Sequence, residues 1–123
     1  MNAPVKIDLV RAHFRLSKPC ANCPFRKQGA IELEPGRVEE IIDDLMQNDM
    51  STFHCHKTVH HPKGGDWDDH GQYTPSGHEA MCAGAAIYLE KLHRPTVAMR
   101  IGRVTGLYKP ETLQPHFGDV IDP

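Results

Sequence analysis

A small α+β domain with two or three helices packed around a four-cysteine metal or cluster site is the fold class this chain predicts. Three observations lead there. Residues 38–46 and 81–92 each carry apolar side chains at helical spacing, whereas the intervening stretches are short, polar and rich in Gly and Pro. The four cysteines each sit in a short polar motif: Cys20 and Cys23 in KPCANCPFRK, Cys55 in FHCHKT and Cys82 in EAMCAGAA. A length of 123 residues suits one domain, 1–123, whose modest core a metal would assist rather than replace.

In chain order, VKIDLV at 5–10 alternates weakly and reads as a short strand or a loose arm, and 1–17 as a whole as a possible arm. Residues 20–30 form a knuckle-like loop, with Pro19 and Pro24 bracketing the cysteine pair and Gly29 closing it. Pro35 suits the first position of a helix, since its missing N–H would be unpaired there. Val38, Ile41, Ile42, Leu45 and Met46 then make an apolar stripe opposite Glu39, Glu40, Asp43 and Asp44, and Asn48 stops it. STFHCHK, 51–57, reads as a short strand carrying Cys55, and 58–75 as a long His-, Asp- and Gly-rich loop. Ser76 and Glu79 have the spacing of a capping box before an apolar face of Met81, Ala85, Tyr88, Leu89 and Leu92. Residues 96–105 fit strand alternation or a helix whose face is Val97, Ile101 and Val104, and the helix is preferred. The Pro-containing tail, with 108–123 as a second possible arm, is expected to hug the surface or fray.

Composition narrows the function classes. A formal net charge of −2 gives no basic excess for nucleic acid and no acidic tail. The first residues carry scattered charges without an apolar h-region, and no apolar run approaches the roughly 18 residues of a membrane span. A cytoplasmic location follows as the expectation. Thiols there stay reduced, which favours metal binding or redox chemistry over two structural disulfides.

Cysteines two residues apart can place two thiolates on one ion from a single turn, and two further cysteines complete a set of four. Cys20, Cys23, Cys55 and Cys82 are therefore the expected metal ligands. Four thiolates satisfy tetrahedral Zn2+ and equally a 4Fe-4S cluster; zinc is the leading assignment and the iron–sulfur cluster the alternative. The Cys23-Pro24 step and the small residues Ala83, Gly84, Ala85 and Ala86 suit the cluster; the frequency of structural zinc in small domains favours the ion. A site of three cysteines and one histidine is also open, but on an extended segment His54 and His56 would face away from Cys55. A reading without metal leaves Cys55 and Cys82 as ordinary buried thiols.

The order C-x-x-C-P-F-R, F-x-C-H-K-T, C-A-G-A, running from Cys20 to Ala86, resembles a family of small uncharacterised proteins of phage and bacterial genomes. The resemblance implies a compact cysteine-centred domain and a mobile-element or host-interaction setting, without an activity.

His56 and Lys57 are expected beside the ligands, where they would tune and orient the thiolates. Six histidines lie between 54 and 78 (His54, His56, His60, His61, His70 and His78), interspersed with Asp66, Asp68 and Asp69. Such a cluster suits a metal-dependent nuclease, although no Asn follows where that arrangement needs one; solvated loop residues are the plainer reading. Arg26 and Lys27 add positive charge near the thiolates, Trp67 reads as a partner anchor or a lid over the loop, and Phe25 and Phe53 as core beside the site. A redox role for the Cys20/Cys23 pair would leave two cysteines unused. The sequence thus points to a non-enzymatic metal-binding interaction module with a protein partner and no membrane contact. The alternatives are an iron–sulfur or thiol redox protein, or a His/Asp nuclease.

Overall fold

The computed structural model describes residues 11–60, 62, 64–74, 76 and 79–123, so the expected strand or arm at 5–10 lies outside the described residues. The domain is a small α+β unit of several helices and a two-stranded sheet. Helix α1 spans Arg37–Gln47 and buries Ile41 and Leu45, with Ile42 and Met46 packed alongside, as its apolar stripe dictates. It starts two residues after Pro35, because Gly36 takes a left-handed conformation (φ 83°) as N-cap, and it stops at Asn48.

No strand forms over 51–57. A single antiparallel bridge joins His54 to Met81, and helix α2, His56–Val59, begins directly after Cys55. The expected loop 58–75 also carries structure of its own. Strands β1, Asp66–Trp67, and β2, Tyr73–Thr74, pair antiparallel with Trp67 opposite Tyr73. The Asp68 carboxylate closes the turn by accepting from the His70 and Gln72 amides.

Helix α3, Ala83–Lys91, is the centre of the core. Ala83 to Ile87 and Leu89 are all buried, so its first half is covered on every side. It does not start at Ser76. The Glu79 carboxylate does accept from the Ser76 amide, but it also takes the Tyr73 hydroxyl, and the chain enters the helix only after Cys82. Helix α4, Val97–Thr105, confirms the helical preference but not its expected face. Met99 and Gly102 are buried, whereas Ile101 and Val104 are exposed, because Phe14 and Tyr108 cover the Gly102 side.

The tail is docked rather than frayed. Short 3-10 segments at Pro110–Thr112 and Gln114–Asp119 bring Leu113 and Val120 into the core. The Ile121 amide donates to the Phe25 carbonyl, and the Lys91 ammonium donates to the Val120 carbonyl. The knuckle is therefore held from behind by the C-terminal residues.

Candidate metal centre

Three backbone devices gather the cysteines. In the knuckle, the Cys23 amide donates to the Cys20 carbonyl and the Arg26 amide to the Cys23 carbonyl, so the chain makes two successive tight turns. The Lys27 amide and the Phe25 carbonyl tie this loop to Asp119 and Ile121. Residues 53–55 lie antiparallel to 80–82: the Cys82 amide donates to the Phe53 carbonyl, and the Cys55 amide to the Ala80 carbonyl. Cys55 and Cys82 consequently occupy the N-caps of α2 and α3.

The sulfurs of Cys23 and Cys82, from opposite ends of the sequence motif set, lie 3.4 Å apart in the buried interior. Gly84 makes this contact possible. A Cβ there would stand 2.5 Å from the Cys23 sulfur and 3.0 Å from the Phe25 Cβ. The Cys23 thiol is pulled down to about 7 by the hydrogen bond from Cys82 and by the amides of Phe25 and Gly84, against the effect of burial. Cys82 is pushed well up, first by its role as donor to Cys23 and then by desolvation, although the Ala85 amide points at its sulfur. The pair therefore behaves as one acidic thiol hydrogen-bonded by a reluctant one.

Cys20 is half-buried and faces a different pair of partners. Its sulfur lies 3.6 Å from the Asn22 side-chain oxygen and 3.6 Å from His56 Nε2, and His56 Nε2 is itself 3.2 Å from that Asn22 oxygen. Burial raises the Cys20 thiol, and Cys23 and Cys55 lie within electrostatic reach of it. Cys55 also acts on Cys82. All four cysteines thus share one region and all are free thiols. Among the described residues, no three His, Cys, Asp or Glu side chains already converge in metal-holding geometry.

His56 reaches the cysteines because the backbone turns helical right after Cys55; the alternation argument that pointed it away assumed an extended strand there. Its imidazole is lowered by burial and by Lys57 and His60. Lys57 is exposed and acts on Cys20 only through its charge. Arg26 acts similarly on Cys23, while Lys27 pairs with Asp122 instead.

The other described histidines are dispersed. His54 packs against His13, His60 stacks on Trp67, and His70 sits in the exposed hairpin turn; His61 and His78 lie outside the described residues. Trp67 is 56% exposed and lies against Tyr73. Phe25 and Phe53 do pack beside the cysteines, with ring centroids 5.9 Å apart.

Sequence reasoning missed one contributor and did not see the contact made by a second. Asn22, inside the CANC motif, bridges Cys20 and His56, and its short polar side chain between two cysteines was the available signal. Gly84, which the sequence offered only as one of the small residues after Cys82, lets α3 approach Cys23 closely. No helix among the described residues is long and apolar enough to cross a membrane. Comparisons with protein-family models, with curated proteins and with solved structures find no match, so the site is read from this chain's own geometry.

Proposed function

We propose that Cys20, Cys23, Cys55 and Cys82 hold one zinc ion, and that the chain is a small metal-stabilised module that presents its surface to a protein partner. The contact between the Cys23 and Cys82 sulfurs at 3.4 Å carries the reading. A tetrahedral zinc with Zn–S bonds of about 2.3 Å spaces its sulfurs about 3.8 Å apart, close to this contact. A cluster binds each thiolate through a different iron and spreads the sulfurs farther, so the contact favours a single ion. Further support comes from the donor set: Cys23 is already the acidic partner, amides of α3 point at both of the close sulfurs, and Arg26 and Lys57 add compensating charge. Completing the set requires Cys20 to exchange its Asn22 and His56 contacts for the ion. Those two side chains would then orient the bound thiolate.

When bound, zinc offsets the thiolate charge and ties the knuckle to the N-termini of α2 and α3. Elemental analysis of anaerobically prepared protein tests this. One equivalent of zinc in a colourless protein is expected, with Cys82→Ser losing the metal and melting at lower temperature. Iron with sulfide and a brown colour would replace the ion by a cluster, and full stability without any metal would end the metal reading.

The same contact favours a second reading, a dithiol that closes to a Cys23–Cys82 disulfide when a disulfide oxidant takes its two electrons and two protons leave. A mass lower by two hydrogens after treatment with oxidised glutathione, in protein that never takes up zinc, would select it.

A further inference from the structure

The four thiols of the proposed zinc site are not equivalent. Cys23, Cys55 and Cys82 are buried, and Cys20 alone of the four is not. The sulfurs of Cys23 and Cys82 touch each other, whereas Cys20 faces an imidazole: His56 Nε2 lies 3.6 Å from its sulfur. His56 directly follows Cys55 and opens α2, so the turn that delivers the Cys55 thiol delivers this imidazole as well.

The spacing has a metrical meaning. Zn–S bonds of about 2.3 Å and Zn–N bonds of about 2.0–2.1 Å at the tetrahedral angle set a sulfur and an imidazole nitrogen about 3.5–3.6 Å apart. Cys20 Sγ and His56 Nε2 stand at that separation. The region therefore offers five donors to an ion that takes four.

Asn22 serves either choice of the fourth donor. Its side-chain oxygen lies 3.6 Å from Cys20 Sγ and 3.2 Å from His56 Nε2. With Cys20 on the ion, the imidazole carries its proton on Nε2 and donates it to Asn22. With His56 on the ion, Nε2 gives its lone pair to the metal, and the free Cys20 thiol donates to the same oxygen. Neither displaced group is left without a partner. Charge pulls both ways. Four thiolates overcompensate Zn2+ by two charges, and three thiolates with a neutral imidazole by one, whereas Arg26 and Lys57 favour the more negative set. Asn22 and His56 also line an open cavity of about 750 Å3 between the knuckle, α1 and α2, which gives the imidazole room to turn.

We propose that His56 Nε2 is an alternate fourth ligand that exchanges with Cys20, so that Cys20 is a releasable thiol and the ion stays when it leaves. This assigns a regulation to the zinc site proposed above and rests on that reading. A reagent that captures Cys20 then alters the knuckle without unloading the module. With iodoacetamide, the Cys20 sulfur attacks the methylene carbon, a sulfur–carbon bond forms, iodide leaves, and His56 moves onto the metal.

Zinc-loaded full-length chain tests the proposal. Cys20→Ala is expected to keep one equivalent of zinc, with the 15N shift of His56 Nε2 moving to a metal-bound value. Adding His56→Ala to Cys20→Ala is expected to weaken zinc binding by at least about tenfold, the least that loss of a residue merely supporting a ligand costs. Iodoacetamide is expected to mark Cys20 first, by peptide mass, with zinc retained; in His56→Ala the same mark releases the ion. Cobalt substitution gives an independent count, because thiolate-to-cobalt charge-transfer absorption falls from that of four thiolates to that of three in Cys20→Ala.

A Cys20→Ala protein that loses zinc as fully as Cys82→Ser, an unshifted His56 Nε2, or a double variant that binds zinc as tightly as Cys20→Ala would overturn the exchange. So would first modification at a buried cysteine, loss of zinc on alkylation of the parent, or its retention by alkylated His56→Ala. The parent's zinc content separates the two readings. A loaded parent with a metal-free Cys20→Ala sinks the exchange alone, whereas a folded parent that takes up no zinc sinks the site itself.

Discussion

Replacing Gly84 by alanine sets two effects of opposite sign against each other. On helix propensity alone, Gly→Ala within α3 gains up to about 1 kcal/mol. Packing opposes it. The added methyl would stand 2.5 Å from the Cys23 sulfur and 3.0 Å from the Phe25 Cβ. Neither atom is the free end of a flexible side chain: the Phe25 Cβ is anchored to the backbone and fully buried, and the Cys23 sulfur is held by Cys82. Overpacking of this kind costs about 1–3 kcal/mol, so the net expectation is a loss of about 1–2 kcal/mol. For a domain of this size that lowers Tm by several degrees, roughly 3–8 °C. Urea unfolding followed by circular dichroism gives the free energy, and zinc content on the same samples is expected to fall as Cys23 is displaced. A double-mutant cycle with Cys23→Ala, run under chelation so that ligand loss does not enter, is expected to recover about 1 kcal/mol, because one of the two clashing atoms is gone. A Gly84→Ala protein as stable as the parent, with unchanged zinc, would refute the close-approach argument. So would a cycle without coupling.

Three further outcomes are expected. Tyr108→Phe removes a hydroxyl that donates to the Glu90 carboxylate at 2.5 Å, and is expected to lose about 1.5–3 kcal/mol in chemical unfolding, the range for bonds to charged groups. Val120→Ala, at a fully buried position next to the Lys91 clamp, is expected to cost about 1–3 kcal/mol and to speed hydrogen exchange at the amides of Lys27 and Ile121, which hold the knuckle to the tail. His13 is held down to about 4 by burial and by His54, so the unfolded chain takes up its proton first as pH falls. Its contribution is complete above about 6.5 and is lost as pH drops towards about 4; with discounting for partial exposure it is about 1–2 kcal/mol. Urea midpoints at pH 7.5 and 5 should therefore fall less in His13→Gln than in the parent, and parallel losses would remove His13 as a source.

The sequence carried the helices wherever burial is one-sided. Ile41 and Leu45 sit at helical spacing against a run of carboxylates, so α1 could be read directly. Ambiguity arose where local signals compete with tertiary contacts. Ser76 and Glu79 have capping-box spacing, yet Glu79 is also bound by the Tyr73 hydroxyl from the hairpin, and the helix starts later. Val97, Ile101 and Val104 look like a core face, but the burial of α4 is decided by Phe14 and Tyr108 lying over Gly102. The tail resembled a loose arm because its apolar residues are sparse, and only contacts distant in sequence, to Phe25 and Lys91, dock it.

By itself, the amino-acid sequence singled out the candidate residues: four thiols in polar motifs, His56 and Lys57 after the third, and the apolar spacing of the helices on either side. Tertiary structure alone decided which sulfurs touch. Cys23 meets Cys82 because residues 53–55 pair with 80–82 and α3 presents a glycine to the knuckle, while Cys20 turns towards Asn22 and His56. Backbone periodicity is a local property and is written in neighbouring residues. The meeting of side chains from distant segments depends on how the whole core packs, which no single motif encodes.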